Sequence, residues 1–374
     1  MLSIEIQNEI TSQAQEAADL LRTIAQIPSP SRHEEKRAAF CEAWLKEAGC
    51  EGVYTDDALN VIYPYCVRED QPVVIFAAHT DVVFPDTDTL PLKEDDARIY
   101  CPGVYDDTAN LVNLLLTARL LTQRGIRPDG CGIVFVCDAG EEGMGNLKGI
   151  RKIFETYAGR VQAFYTFDLT YSETVDRAVG SCRFKVTART EGGHSYLAFG
   201  HENAIQKMAA FIEDLYRITP PQKGTTYNAG TIEGGTSVNT IAQTCSLLCE
   251  YRSDHAAGMH EMDEIFHSLF EKHRLEYEVI GLRPGEELSA ASEEKRAHML
   301  DAAEEIICRR TGITPRRVSS STDCNIPLSL DIPAICLGTC MGAGAHTREE
   351  YLEKSSLIPG RMIATELVLS YCHD

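Results

Sequence analysis

Apolar residues recur along this chain in two rhythms that alternate through its first half. Ile10, Ala14, Ala17, Leu21 and Ile24 fall at helical spacing, and the helix they predict stops before Pro28-Ser29-Pro30. A second helix is predicted over 33–48, with Phe40, Ala43 and Trp44 inward and Gly49 as its stop. Val73-Val74-Ile75-Phe76-Ala77-Ala78 shows no alternation, which reads as a short strand buried on both faces. Residues 109–124 are helical, with Leu111, Leu114, Leu115, Ala118 and Leu121 on one side and Gly125 behind. Ile133–Val136 is another buried strand, 146–157 a helix and Phe164–Phe167 a third strand. Strands and helices in alternation predict an α/β sheet covered on both faces. Ligands of such sheets gather beyond the carboxyl ends of the strands.

From about residue 179 the texture changes. Ser181–Thr187 alternates with period two, as a half-exposed strand does. A helix at 202–217, strands near 225–233 and 243–252, a helix at 258–273 and a strand at 275–281 follow. This β-α-β-β-α-β order predicts a small sheet with helices on one face. After Pro284-Gly285 the first texture returns, with a helix at 292–310, the strand Ala334–Leu337 and a last helix from about Ile358. The expected architecture is a discontinuous α/β domain, 1–178 and 286–374, with a central mixed sheet covered by helices. A ferredoxin-like α+β domain, 179–285, is inserted into it.

Composition narrows the classes. The 374 residues are 44% hydrophobic and 24% charged, and no apolar run approaches the roughly 18 residues of a membrane span. Met1-Leu2-Ser3-Ile4-Glu5 lacks the basic opening of a signal peptide. Acidic residues outnumber basic ones 56 to 35, which argues against nucleic acid as a partner, because that binding rests on Lys and Arg neutralising phosphates. Fourteen scattered cysteines without a C-x-x-C pair read as small core residues in a reducing cytoplasm.

Candidate chemistry lies where strands hand over to loops. His79-Thr80-Asp81 follows the strand at 73–78, Asp106-Asp107 opens the helix at 109–124, and Asp138-Ala139-Gly140-Glu141-Glu142-Gly143 ends the strand at 133–136. Asp168 ends the strand at 164–167, and His346 sits in a glycine-rich loop. Each alone has an ordinary reading: a loop histidine, an N-capping Asp107, a solvated glutamate pair. Together, histidines and carboxylates at strand ends are what a two-metal hydrolytic site needs. Of the adjacent glutamates, one can bind metal and the other move a proton. In the inserted domain, Glu191-Gly192-Gly193-His194-Ser195, Gly234–Asn239 and Arg252 read as polar turns on spacing alone, though a histidine, an asparagine and an arginine on loops can also hold a substrate carboxylate and an oxyanion.

With these residues laid out, the chain resembles the di-zinc exopeptidase family of aminoacylases, carboxypeptidase G, succinyl-diaminopimelate desuccinylase and peptidase T. The resemblance rests on Ala77–Asp81, Asp106-Asp107, Asp138–Gly143, Gly235–Ile241, Tyr251-Arg252-Ser253, Ser321–Asn325 and His346–Glu350. The last two look most like the peptidase T-like branch. The resemblance implies that Asp106 bridges two Zn²⁺ ions, which Co²⁺ or Mn²⁺ can replace. It implies that His79 and Asp168 complete one site, and Glu142 and His346 the other. Glu141 is then the general base, and Asp81 supports His79. His194, on a lid supplied by a partner subunit, stabilises the oxyanion, while Asn239 and Arg252 engage substrate oxygens. The inserted domain becomes a lid and the dimer contact of a homodimer. Two departures stand out: Thr108 where the family often has Lys, and Gly-His-Ser-Tyr where the lid commonly has Ala-His-Ala/Ser-Gly.

The function this implies is metal-dependent removal of a terminal residue from a di- or tripeptide. Deacylation of N-acyl amino acids uses the same machinery. A catalytically silent binding protein on this scaffold would lack Glu141 or a ligand, and all are present.

Overall fold

The apolar run at 73–78 lies at the heart of the main sheet. Strand Val73–His79 is buried along its whole length and lies between Gly132–Asp138 and Val161–Phe167, both parallel to it. Ala334–Leu337 continues the parallel set beside Val161–Phe167. Antiparallel strands Val61–Tyr65 and Glu173–Ala178 flank the set, and Tyr54–Thr55 and Arg316–Ser320 form the outer edges of an eight-stranded mixed sheet. The sheet class is that expected from the alternating pattern. The flanking strands escaped the sequence reading because they are short or carry prolines and charges.

The structure, a computed structural model, describes residues 1–372. The chain forms two units: Met1–Arg177 with the chain from Leu288 on, and Ala178–Glu287. Among the described residues no helix is long and apolar enough to cross a membrane.

In the first unit, helix Asn110–Arg124 is buried on almost every side, Val112, Leu116 and Leu120 included, not only along the predicted Leu111 face. It is enclosed between the sheet and helix Leu357–Leu369, to which Thr117 hydrogen-bonds through Thr365 (3.2 Å). Gly125 ends it in the left-handed region, φ 62°, where a side chain would be strained. The helix predicted from Ile10 to Ile24 is two helices, Ile4–Ser12 and Ala14–Ala25, broken at Gln13 (φ −94°, ψ 15°). A small antiparallel sheet of Lys93–Glu94, Arg98–Tyr100, Tyr351–Glu353 and Gly342–Ala343 was not foreseen. Its strands of two or three residues are too short to show a period, yet it carries the loop of His346.

The second unit has the strand order Thr225–Gly234, Thr244–Ser253, Gly180–Arg189, Glu276–Arg283, every neighbour antiparallel. Helices Ala204–Leu215 and Ala256–Lys272 pack Phe211, Phe266 and Phe270 against Phe184, Val186 and Leu247 of the strands. Lys185 between the two inward residues faces out, which is the period-two alternation read in the sequence. Cys245 and Cys249 share the buried face, and all fourteen cysteines are free thiols.

Gly360 sets the approach of helix Leu357–Leu369 to the strand end at Thr339. A Cβ at 360 would lie 1.5 Å from the Thr339 carbonyl oxygen, so the helix must shift to accept one. Overpacking of this kind costs about 1–3 kcal/mol. Gly360→Ala is expected to lower the thermal midpoint of the first unit, followed by circular dichroism; an unchanged midpoint would mean that the two elements are not held this close.

Candidate metal centre

The parallel register brings His79 beside Asp138 at the carboxyl edge of the sheet. One strand away, Val161–Phe167 delivers Asp168. Asp106 comes from the irregular turn Val104–Ala109 that precedes the long buried helix. It presents one carboxylate oxygen to each of two imidazoles: Oδ1 lies 3.2 Å from His79 Nε2 and Oδ2 lies 3.3 Å from His346 Nε2. His346 Nε2 is also 3.0 Å from Glu142 Oε1. Three sets have their donor atoms within 4.8 Å of one another: His79, Asp106 and Asp168; Asp106, Glu142 and His346; His79, Glu141 and Glu142. Six candidate residues from five separate segments therefore meet in the first unit.

The groups behind them fix their geometry. The Asp81 carboxylate accepts the backbone N–H groups of Gly140 (3.1 Å), Glu141 (3.0 Å) and Glu142 (3.0 Å), and the Ser31 hydroxyl (2.6 Å). It thus clasps the very turn that carries the glutamate pair. The His79 ring hydrogen-bonds through Nδ1 to the main-chain carbonyl of Asp81 (3.0 Å), with the carboxylate farther off at 3.5 Å. A backbone partner of this kind sets the tautomer that leaves Nε2 free to bind. Asp107 does not cap the helix. It is buried, accepting the His79 N–H (3.0 Å) and the Asn110 side-chain amide (2.6 Å), and helix Asn110–Arg124 has Ala109 at its N-cap with no side-chain cap bond. Thr108, at the position of the common lysine, donates to the Gly103 carbonyl (2.5 Å) and receives Arg37 Nη1 (3.3 Å). Arg37 is fully buried and also donates to the carbonyls of Thr80 (3.0 Å) and Ile27 (2.8 Å). Ser31, Arg37 and the carbonyl role of Asp81 escaped the sequence reading. No local pattern marks a helix arginine that points beneath a distant strand end.

The electrostatics are those of a place short of positive charge. Burial pushes the Asp168 carboxyl up to about 8, with the Asp106 charge adding to it. Burial also lifts Glu142 to about 7, against the hydrogen bond from His346 and with the charges of Asp106 and Glu141. Hydrogen bonds to Asp106 and Glu142 raise His346 to about 10. Burial alone would raise Asp106, but the bonds from His346 and His79 outweigh it and hold that carboxylate well below its usual range. Protons or cations must fill such a cluster. Nitrogen and carboxylate oxygen donors without a thiolate suit a divalent ion of the zinc kind.

His194, Asn239 and Arg252 belong to the second unit. His194 lies in a two-residue strand paired with Thr240–Ile241; its exposed ring accepts the Tyr196 N–H at Nδ1 (3.2 Å). Asn239 directly precedes that partner strand and accepts the Ser237 hydroxyl (2.7 Å). Arg252, on the larger sheet, forms a two-point ion pair with Glu250 (2.8 and 3.1 Å).

The sequence profile of Peptidase family M20/M25/M40 matches residues 75–370. The chain belongs to this family. Membership makes it a metallo-hydrolase of peptide or linear amide bonds. A succinyl-diaminopimelate desuccinylase of Bordetella petrii is 24% identical over 367 residues, 91% of this chain and 93% of that one. A tripeptidase of Staphylococcus aureus has a similar fold, with a TM-score of 0.76 and 20% identity over 95% of this chain and 98% of its own. A dinuclear metal-binding peptidase of the M20 family from Bacillus subtilis superposes with a TM-score of 0.68 and 18% identity, over 96% and 99% of the two chains.

Because Glu142, Asp168 and His346 hold protons up to about 7, 8 and 10 respectively, a cation entering this M20 site must displace them. Proton release on adding a divalent ion at neutral pH is expected in calorimetry across buffers of different ionisation enthalpy. Affinity should rise as pH climbs through this range, these candidate ligands being protonated below it. Affinity independent of pH would remove these groups from the ligand set.

Proposed function

We propose that the protein is a di-zinc exopeptidase that removes a terminal residue from a di- or tripeptide. The observation that carries this reading is the Asp106 carboxylate set between His79 and His346, one oxygen to each. Asp106 would be the ligand shared by two ions; His79 and Asp168 would hold one, and Glu142 and His346 the other, in keeping with two of the donor sets. Two zinc ions held there would supply Lewis-acid polarisation of the scissile carbonyl and lower the pKa of a water. Glu141 takes the proton of the attacking water and returns it to the leaving amine. Asp81, through its three backbone contacts to residues 140–142, keeps the base and the ligand beside it in fixed relation.

A second reading is deacylation of N-acyl amino acids, favoured by the desuccinylase relative that spans nearly the whole chain. The chemistry at the metal is the same, and only the group on the acyl side differs. His194 serves in either reading to hold the oxyanion, with Asn239 and Arg252 on substrate oxygens.

The working unit is a homodimer joined through the second unit. Two observations support this. Strand Thr225–Gly234 forms one edge of its sheet and is largely exposed, leaving backbone groups for a twin strand to pair. Beside His194, Tyr196, Leu197 and Phe199 are 83%, 81% and 90% exposed, an apolar patch that a monomer seldom leaves open. Free thiols throughout fit a reducing compartment such as the cytoplasm.

The zinc-loaded protein is expected to release a terminal residue from some members of a panel of di- and tripeptides and N-acyl amino acids; turnover of acylated substrates alone would select the second reading. Glu141→Gln should lower kcat by about 10²–10⁴-fold with zinc content unchanged, and loss of zinc would instead make Glu141 a ligand.

Mixing Glu141→Gln and His194→Ala chains should restore activity that neither variant has, one composite site in each hybrid being intact. No recovery in a mixture shown by mass spectrometry to exchange subunits would confine His194 to its own chain.

A further inference from the structure

Glu350 lies four residues beyond His346 in the same loop and is 1% exposed. Its carboxylate points away from solvent and into the turn that carries Asp106. Oε2 accepts the Gly103 N–H (2.7 Å), and Oε1 accepts the N–H groups of Tyr105 (3.0 Å) and Asp106 (3.1 Å). Its main-chain oxygen accepts the Cys101 N–H (3.2 Å), so the loop also runs on into the short sheet in which Tyr351–Glu353 pairs with Arg98–Tyr100.

These donors need an answer that the local backbone cannot give. Asp106 (φ −110°, ψ 85°) and Asp107 (φ −125°, ψ 16°) depart from helical geometry, so the turn does not satisfy its own N–H groups in helical fashion. A buried N–H left without an acceptor costs about 1–3 kcal/mol. Gly103 at φ 74° packs so closely under Val82 that a Cβ there would lie 2.3 Å from its Cγ1. The turn is therefore pressed from one side by a strand end and drawn from the other by one carboxylate. Thr108, tied to Arg37 and to the Gly103 carbonyl, closes its far end.

We propose that Glu350 is the positioning residue of the metal centre: by gripping the main chain of Gly103, Tyr105 and Asp106 from the His346 loop, it sets the bridging carboxylate and the distal histidine in one fixed relation. The proposal rests on the two-ion reading of the site. Glu350 is in none of the candidate ligand sets; both of its oxygens are taken up by main-chain N–H donors, while burial and the Asp106 charge raise its carboxyl to about 8 against those bonds. It acts through Asp106, which touches both ions, so its loss is felt at both. The effect on the His346 side follows also from the loop itself, whose anchor it is.

The test compares wild type, Glu350→Gln, Glu350→Asp and, as a control on the same loop, the exposed Glu349→Gln. Glu350→Gln turns one acceptor oxygen into an N–H₂ that meets other N–H groups. Glu350→Asp keeps the carboxyl group and both oxygens but shortens the reach by one carbon. Cation binding is read by chelator competition with Zn²⁺ and by the visible spectrum of the Co²⁺ form, alongside the thermal midpoint of each apo protein. In Glu350→Gln, affinity for both ions should fall by about 10–100-fold, the range for groups that orient metal ligands, and the Co²⁺ spectrum should change. Glu350→Asp should fall between it and wild type, and Glu349→Gln should match wild type. If Glu350→Gln does not fold, Glu350→Asp decides by the same two readouts. A lower midpoint with unaltered affinity and spectrum would make Glu350 structural only and overturn the proposal, as would weakening of one ion alone. A wild type that binds fewer than two ions would instead overturn the two-ion reading.

Discussion

Crowding of negative charge at one edge of a parallel sheet is the constraint on which this structure depends. Asp106, Glu141, Glu142 and Asp168 belong to three overlapping donor sets linked through His79, Asp106 and Glu142. Two like charges about 4 Å apart repel by about 4 kcal/mol at an effective dielectric near 20. Folding leaves only about 5–15 kcal/mol in all, so several bare carboxylates cannot stand together there. The raised carboxyl groups of Asp168 and Glu142 and the raised imidazole of His346 express that conflict in protons. Divalent cations resolve it more completely, since each brings two charges to the point where the oxygens face each other. The acid that makes the site unstable when empty is the acid that makes it bind.

A cluster under this repulsion needs rigid backing, and the backing is mostly backbone hydrogen bonding to buried carboxylates. Asp81 spends both oxygens on the turn of residues 140–142. Asp107 holds the main chain of His79. Burial alone would raise the Asp81 carboxyl, yet the nearby His79 ring, the Ser31 hydroxyl and the Glu142 N–H bring it below its ordinary range, which keeps it an acceptor. The candidate metal-binding residues and the residues that hydrogen-bond around them are interleaved along the sequence, often side by side: His79 with Asp81, Asp106 with Asp107.

Much of this was legible in the chain because buried parallel strands announce themselves. Val73–Ala78 and Ile133–Val136 have no polar residue to mislead, and a group that follows such a run must emerge at the same edge. The strand-end rule therefore located His79, Asp168 and the glutamate pair without knowledge of the packing. It could not tell what Asp107 does, since capping and burial use the same residue type at the same place. Nor could it find the strands around His346. Tyr351–Glu353 owes its existence to Arg98–Tyr100, some 250 residues earlier, and three residues carry no period of their own. Arg37 was hidden for a related reason: its partners at Thr80 and Thr108 are neighbours only in the folded chain.

The five contributing segments are strewn from His79 to His346, and the whole second unit is threaded between Asp168 and His346. This order has a temporal consequence on the ribosome. The inserted unit has its own apolar core and can fold while the ligand set is still missing its last histidine. His79, Asp106 and Asp168 thus precede the inserted unit in synthesis, and the Asp106, Glu142 and His346 set is complete only after it. A product that stops in the inserted unit would therefore lack His346 and, with it, one of the three candidate donor sets.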